Sequence, residues 1–172
     1  MKLGIISDIH DNIVNLKKAI EVLNNEQVKK VYFCGDLVSP FTLKWFKDFQ
    51  EPIKAVFGNN EGDKVGIQRR INKYRLNLEY GPKQGLIFED KIQSFNLAVF
   101  HGHSYEITTA LVDSSKYNLL FTGHTHEPHI KKLKNKIWIN PGSVTGFAEK
   151  VWNKPSMAIF DINTKKGKIV NL

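Results

Sequence analysis

Short apolar runs alternate with amphipathic stretches through the first half of the chain. Leu3 to Ile6 predicts a strand, after which Ile13, Leu16, Ala19, Ile20 and Leu23 recur at three- and four-residue spacing, the stripe of an amphipathic helix. Val31 to Cys34 predicts a second strand. A second helix is expected through Leu43, Phe46 and Phe49, with Pro40 near its start and Pro52 helping to end it. Ile53 to Phe57 predicts a third strand, and Lys64 to Leu76 a more basic helix. The second half is richer in strands. Leu86 to Phe88 and Phe95 to Phe100 are expected to pair across the polar Glu89-Asp90-Lys91, with a helix near Thr108 to Val112 and a strand at Asn118 to Phe121. Ile130 to Leu133, Lys136 to Ile139, Met157 to Ile162 and Lys168 to Asn171 then read as a terminal antiparallel series. Its last pair is joined by the Gly-containing Asn163-to-Gly167 connection. Helices that alternate with early strands, followed by a strand-rich tail, imply an α/β fold with sheets inside and helices outside.

No repeat, low-complexity tract or linker divides the 172 residues, so a single domain over 1–172 is expected, long enough to bury a core without staples. The lone Cys34 sits in an apolar run and has no intramolecular partner; with no apolar run long enough for a leader or a membrane span, a cytoplasmic protein is expected. The net charge of +8 attracts polyanions but does not choose between nucleic acid, phosphorylated small molecules and an anionic membrane. Its densest patch, Lys131, Lys132, Lys134 and Lys136, has the pattern of a hairpin edge and reads either as solvated or as a contact for an anionic substrate.

The residues directly after each apolar run change the picture most. Leu3 to Ser7 runs into Asp8-Ile9-His10, Val31 to Cys34 into Gly35-Asp36, and Ile53 to Phe57 into Gly58-Asn59. Leu97 to Phe100 runs into His101-Gly102-His103, and Leu119 to Thr122 into Gly123-His124-Thr125-His126. If these strands lie parallel, their C-terminal ends meet along one edge of a sheet, where ligands commonly bind. The donors are carboxylate, amide oxygen and imidazole without sulfur, a set suited to Mn²⁺, Fe, Co, Ni or Zn²⁺. Seven donors are too many for one open metal site. They are about right for two metals ~3.5–4 Å apart that share a carboxylate and clamp a phosphoryl group.

Asp8-x-His10, Gly35-Asp36, Gly58-Asn59, His101 and Gly123-His124-x-His126 resemble, in order, the signature blocks of the calcineurin-like metallophosphoesterases. The likeness is greatest to the small stand-alone bacterial and archaeal phosphodiesterase subgroup. The resemblance implies a four-layer α/β/β/α sandwich of two mixed β-sheets flanked by helices. It implies that Asp8, His10 and His126 hold one divalent metal, that Asn59, His101 and His124 hold a second, and that Asp36 bridges them. It implies hydrolysis of a small phosphodiester by a hydroxide held between the metals, with Mn²⁺ first among the candidates and Ni²⁺, Co²⁺, Fe and Zn²⁺ behind it. Many members of the family carry His after the ligand Asn; here the position is Asn60, which donates a hydrogen bond but no proton. His103 is the substitute for a proton donor near the reacting atoms.

Two rival functions come with the resemblance: a non-catalytic protein-assembly scaffold of the same fold, and a nuclease using the same metals, which the short chain makes less favoured. No membrane partner is expected, and the apolar stretches Phe41 to Phe49 and Phe147 to Trp152 admit a homo-oligomer or plain core. Outside the signature, Asn12 reads equally as a helix cap or a ligand-orienting residue. His129 is expected at the surface, Cys34 in the core, and Trp45, Trp138 and Trp152 as packing residues.

Overall fold

The computed structural model describes residues 1–82, 85–148, 151–152 and 154–172. Alternation along its strands sets the layering. In β1 (Lys2–Ile6), Leu3 and Ile5 face one core while Ile6 faces another. β1 is a central strand of a mixed sheet completed by β2 (Lys30–Phe33), β3 (Ile53–Ala55), β4 (Leu78–Tyr80), β12 (Ser156–Asp161) and β13 (Lys166–Asn171), in the order β13-β12-β1-β2-β3-β4. The four strands β1 to β4 run parallel, and β12 and β13 pair antiparallel. The second mixed sheet has the order β5-β6-β7-β9-β8, from β5 (Ile87–Ile92), β6 (Phe95–Phe100), β7 (Leu119–Phe121), β8 (His129–Leu133) and β9 (Lys136–Asn140). Within it β6, β7 and β9 are parallel and the two outer strands antiparallel.

The sheets face each other across Leu3, Ile5, Tyr32 and Phe160 on one side and Leu97, Val99, Leu119 and Phe121 on the other. The Tyr32 and Phe121 rings meet at 5.3 Å. The opposite face of the first sheet is covered by α1 (Ile13–Asn25), a 3₁₀ segment (Pro40–Asp48) and α2 (Lys64–Tyr74). On the second sheet, Ala98, Phe100 and Leu120 pack under Leu111 of α3 (Tyr105–Asp113). These are the four α/β/β/α layers expected from the sequence. The predicted α1 stripe is buried except for Ile13, and Asn12 caps the helix by accepting from the Asn15 N–H at 3.1 Å.

Three local expectations are corrected. The segment after Pro40 is 3₁₀ rather than α: Pro40, Leu43, Phe46 and Phe49 are buried at a strict spacing of three, the period of a 3₁₀ turn rather than 3.6. Asp11 pins its start by accepting from Ser39 N and the Thr42 hydroxyl. Glu89-Asp90-Lys91 lies inside β5, because Asp90 accepts from Tyr32 Oη at 2.8 Å and Lys30 Nζ at 3.0 Å. Lys136, grouped above with a solvated patch, is buried; its ammonium binds the carbonyls of Leu111, Val112 and Ser114, satisfying the end of α3.

A small antiparallel ribbon, β10 (Phe147–Ala148) with β11 (Val151–Trp152), has no counterpart among the elements expected from the sequence. The packing expected of the Trp152 side chain lies outside the described residues. Among the described residues, no helix is long and apolar enough to cross a membrane.

Candidate metal centre

Strand ends from both sheets converge, rather than the edge of one. The loops after β1, β2 and β3 bring Asp8, Asp36 and Asn59 from the first sheet. Those after β6 and β7 bring His101, His124 and His126 from the second. The loops are stitched together by backbone hydrogen bonds: Asp8 N donates to Gly35 O at 2.9 Å, His10 N to Asp36 O at 3.1 Å, and Gly123 N to His101 O at 2.8 Å.

Two groups of metal-competent atoms result, Asp8 with His10 and His126, and Asp8 with Asp36 and His101. His126 Nε2 lies 3.1 Å from Asp8 Oδ1, and His10 Nε2 lies 3.7 Å from it. Asp36 Oδ2 is 3.4 Å from His10 Nε2 and also 3.4 Å from His101 Nε2, so this carboxylate reaches both sides. Asn59 Oδ1 stands 2.9 Å from His101 Nε2. The His124 ring lies 5.1 Å from that of His101, and the His124 backbone N–H donates to Asp8 Oδ2 at 3.0 Å. Outside both groups, Asn60 gives its backbone N–H and its amide to the two Asp36 oxygens, each at 2.8 Å. His103 is exposed, with its ring 5.6 Å from that of His101.

The charge balance asks for a cation. Asp8 and Asp36 are 0% and 1% exposed, and among the described residues no lysine or arginine pairs with either. Buried carboxylates without such a partner are costly unless they coordinate a metal. His101 makes the same point. Its Nδ1–H donates to the Cys34 carbonyl at 2.7 Å, which leaves the Nε2 lone pair facing two oxygen acceptors. Donors 2.9–3.7 Å apart match the spacing of atoms around an ion with bonds of ~2.1 Å. Strain gathers here as well: Asp8, His10, Asp36, His124 and His126 all have left-handed φ, between 44° and 68°.

Without metal, protons take up the conflict. Burial raises the Asp8 pKa, but hydrogen bonds from His10 and His126 outweigh it and hold Asp8 well below the usual carboxylate range. Asp36 is likewise lowered, burial being outweighed by His101 and Asn60. Burial lowers His101 and His126, yet the facing Asp36 and Asp8 carboxylates raise both above the ordinary histidine value. Those raised values stabilise the metal-free fold fully below the unfolded histidine pKa, and the contribution is lost as pH rises through the folded values. A metal needs the same imidazoles neutral, so its affinity falls as pH drops through that window. Calorimetric titration with Mn²⁺ in buffers of different ionisation enthalpy should therefore show proton release at pH 6.5 that falls away as pH rises through the raised imidazole values. Equal enthalpies in all buffers at pH 6.5 would mean the imidazoles are not displaced.

Residues 1–165 match the family model of the calcineurin-like phosphoesterase superfamily domain. The chain belongs to that superfamily. A phosphodiesterase of Methanocaldococcus jannaschii is 31% identical to this member of the superfamily over 96% of each chain. A solved archaeal phosphodiesterase overlays all of both chains at 30% identity with a TM-score of 0.90. Zinc-complexed Vps29 from Entamoeba histolytica, at 21% identity over 99% of each chain and a TM-score of 0.69, shares the fold. With its two groups of metal-competent side chains, this superfamily member is a metal-dependent phosphoesterase.

Several residues that shape the site escaped the sequence reading. Glu61 accepts backbone N–H groups from Leu37, Val38 and Gly58, tying the loops after β2 and β3 together. Asn140, buried at the end of β9, donates to Gly123 O and Thr125 Oγ1 and so braces the loop that carries His124 and His126. Ser143 Oγ donates to Asp8 O at 3.1 Å. The signal was present for the last two: the apolar run Ile137 to Ile139 also ends in polar and Gly residues, Asn140-Pro141-Gly142-Ser143.

Proposed function

We propose that the protein is a phosphodiesterase acting on small phosphodiesters with two divalent metals, Mn²⁺ first among them. The observation that carries this reading is the Asp36 carboxylate, 3.4 Å from an imidazole on either side. Asp8, His10 and His126 are assigned to one metal, Asn59, His101 and His124 to the other, and Asp36 to both. When bound, such a pair neutralises charge on the phosphoryl oxygens and lowers the pKa of water. The protein's own part is positional. The Cys34 carbonyl fixes the His101 tautomer, Asn60 aims the Asp36 carboxylate, and buried Asp8 is gripped by the His124 N–H.

A cavity of about 920 Å³ lies over these residues, walled by Asn59, Asn60, Thr145 and Phe147, and has room for the substrate phosphate and one substituent. Asn60 thus acts as a positioning residue. His103, its ring 5.6 Å from that of His101 and 6.4 Å from that of His124, is an imidazole beside the site that is not assigned to metal. Likeness to an archaeal phosphodiesterase in sequence and in solved structure supports the diester preference, and free, buried Cys34 suits the reducing cytoplasm. We take residues 1–172 as one functional unit.

The test is hydrolysis of bis(4-nitrophenyl) phosphate and 4-nitrophenyl phosphate by the protein loaded in turn with Mn²⁺, Ni²⁺, Co²⁺ and Mg²⁺. The diester should be cleaved faster than the monoester, with Mn²⁺ giving the highest rate. Faster monoester cleavage with every metal would overturn the diester assignment. The Asn60→His variant belongs in the same series: faster release of poor leaving groups would show that a proton donor at this position is what the native site lacks.

A further inference from the structure

A second cavity of about 570 Å³ adjoins the metal site, and His124 lines both. None of the signature residues explains its far wall. That wall is aromatic, formed by Tyr105, Trp138 and His129. Trp138 is held in place by its Nε1–H donating to Thr122 Oγ1 at 2.9 Å, and the His129 ring stands on edge to it at 4.8 Å. Tyr105 is 80% exposed, an unusual cost for a large aromatic side chain at the N-terminal turn of α3. His129, expected at the surface, is half-buried, and its Nε2 is enclosed without a hydrogen-bond partner. Polar residues line the same cavity: Thr108, Thr109, Glu127, and Lys131, whose Nζ lies over the Trp138 ring, 4.9 Å from its centre.

The geometry points to a nucleoside-binding subsite: the cavity receives the base and sugar of a nucleotidyl phosphodiester whose phosphate sits over the metal site. This rests on the phosphodiesterase reading and narrows its substrate class. The exposed Tyr105 ring suits a planar base, which stacks on it whatever its identity. The hydroxyl, carboxylate and ammonium groups along the cavity suit the polar edges of a base and the hydroxyls of a sugar. A methyl or short alkyl substituent would leave these groups unused. A long alkyl chain would bury them unpaired at a cost. The cavity volume is within the range of small-molecule sites, and its junction at His124 puts the two halves of such a substrate side by side.

Two diesters with the same leaving group separate the subsite from the chemistry: thymidine 5′-(4-nitrophenyl phosphate) and methyl 4-nitrophenyl phosphate. The Mn²⁺-loaded protein should prefer the thymidine compound by about 10-fold in kcat/KM, mainly through KM, the size of one stacking contact. Tyr105→Ala and Lys131→Ala, both at exposed positions, should bring the ratio of the two substrates toward one. Trp138→Leu should do the same, and its melting temperature reports whether lost packing against the α3 cluster contributes. A wild-type ratio near one, or a ratio unchanged in both exposed variants, overturns the subsite.

Binding is read in parallel from tryptophan fluorescence with thymidine 5′-monophosphate and methyl phosphate. Turnover of neither diester with any metal would refute the phosphodiesterase reading. In that case a tighter thymidine 5′-monophosphate complex, weakened by Tyr105→Ala, still supports the subsite, and equal binding of the two ligands refutes it.

Discussion

Asp36→Asn is expected to lower kcat by at least about 10³-fold, because each metal contributes several kcal/mol to stabilising phosphoryl charge and this residue is the one proposed to serve both positions. The isosteric amide keeps the size of the side chain but removes its charge. One buried carboxylate, Asp8, is then left to neutralise two divalent ions. The amide must also place an NH₂ where an acceptor is needed, since Asn60 N donates to Oδ1 and Asn60 Nδ2 to Oδ2. Whichever way the amide turns, one of those donors meets another donor. Metal content by mass spectrometry should fall below two per chain, and the activity should not return at millimolar Mn²⁺. In the absence of metal the variant should unfold at a lower temperature than the native protein, because it loses the pairing with His101 and leaves one Asn60 donor without an acceptor. Native rates in Asp36→Asn with Mn²⁺ would rule out a shared carboxylate at this position.

The convergence of the candidate donors was legible because each lies in a loop that follows a strand, so its position in space is a consequence of where the strand stops. Asp8, Asp36 and Asn59 come from neighbouring parallel strands, and any parallel arrangement would bring them together. That His101, His124 and His126 belong to a second sheet was not evident from local pattern. Both sheets have similar strands, and only the inter-sheet packing of residues such as Tyr32 against Phe121 decides which face meets which. The contacts that aim the ligands were less visible still. Cys34 reads as a small apolar core residue, and so it is, yet its carbonyl orients His101. A backbone group leaves no mark on residue identity. Lys136 is instructive in the other direction. Its neighbours Lys131, Lys132 and Lys134 are solvated, and the difference lies in the end of α3, whose carbonyls need a donor. The 3₁₀ segment reads as α on amphipathicity alone, although the three-residue spacing of Pro40, Leu43, Phe46 and Phe49 is written in the sequence. Its pitch, not its apolar face, is what distinguishes the two helices.

Gly58→Ala is expected to cost about 10²-fold in kcat and about 10- to 100-fold in metal affinity, as for loss of a group that orients a ligand. The reason is a close approach. A Cβ at Gly58 would overlap Asp36 Oδ1 and stand 2.7 Å from both Asp36 Cγ and Asp36 N. The carboxylate has no easy retreat: Asn60 holds both oxygens, and the Asp36 backbone, at left-handed φ of 61°, binds Ile9 N and His10 N through its carbonyl. Either the Asp36 side chain rotates off both donors or the loop after β3 lifts away from it. Each movement also displaces Asn59, the next residue, whose Oδ1 faces His101. Overpacking of this kind costs about 1–3 kcal/mol of stability, so the variant should remain folded at 25 °C with a lowered melting temperature. The damage is positional, and the carboxylate is still present, so a higher Mn²⁺ concentration should restore part of the activity, unlike in Asp36→Asn. A Gly58→Ala protein with native metal affinity and native kcat would show that the Asp36 carboxylate does not need the place that glycine leaves open.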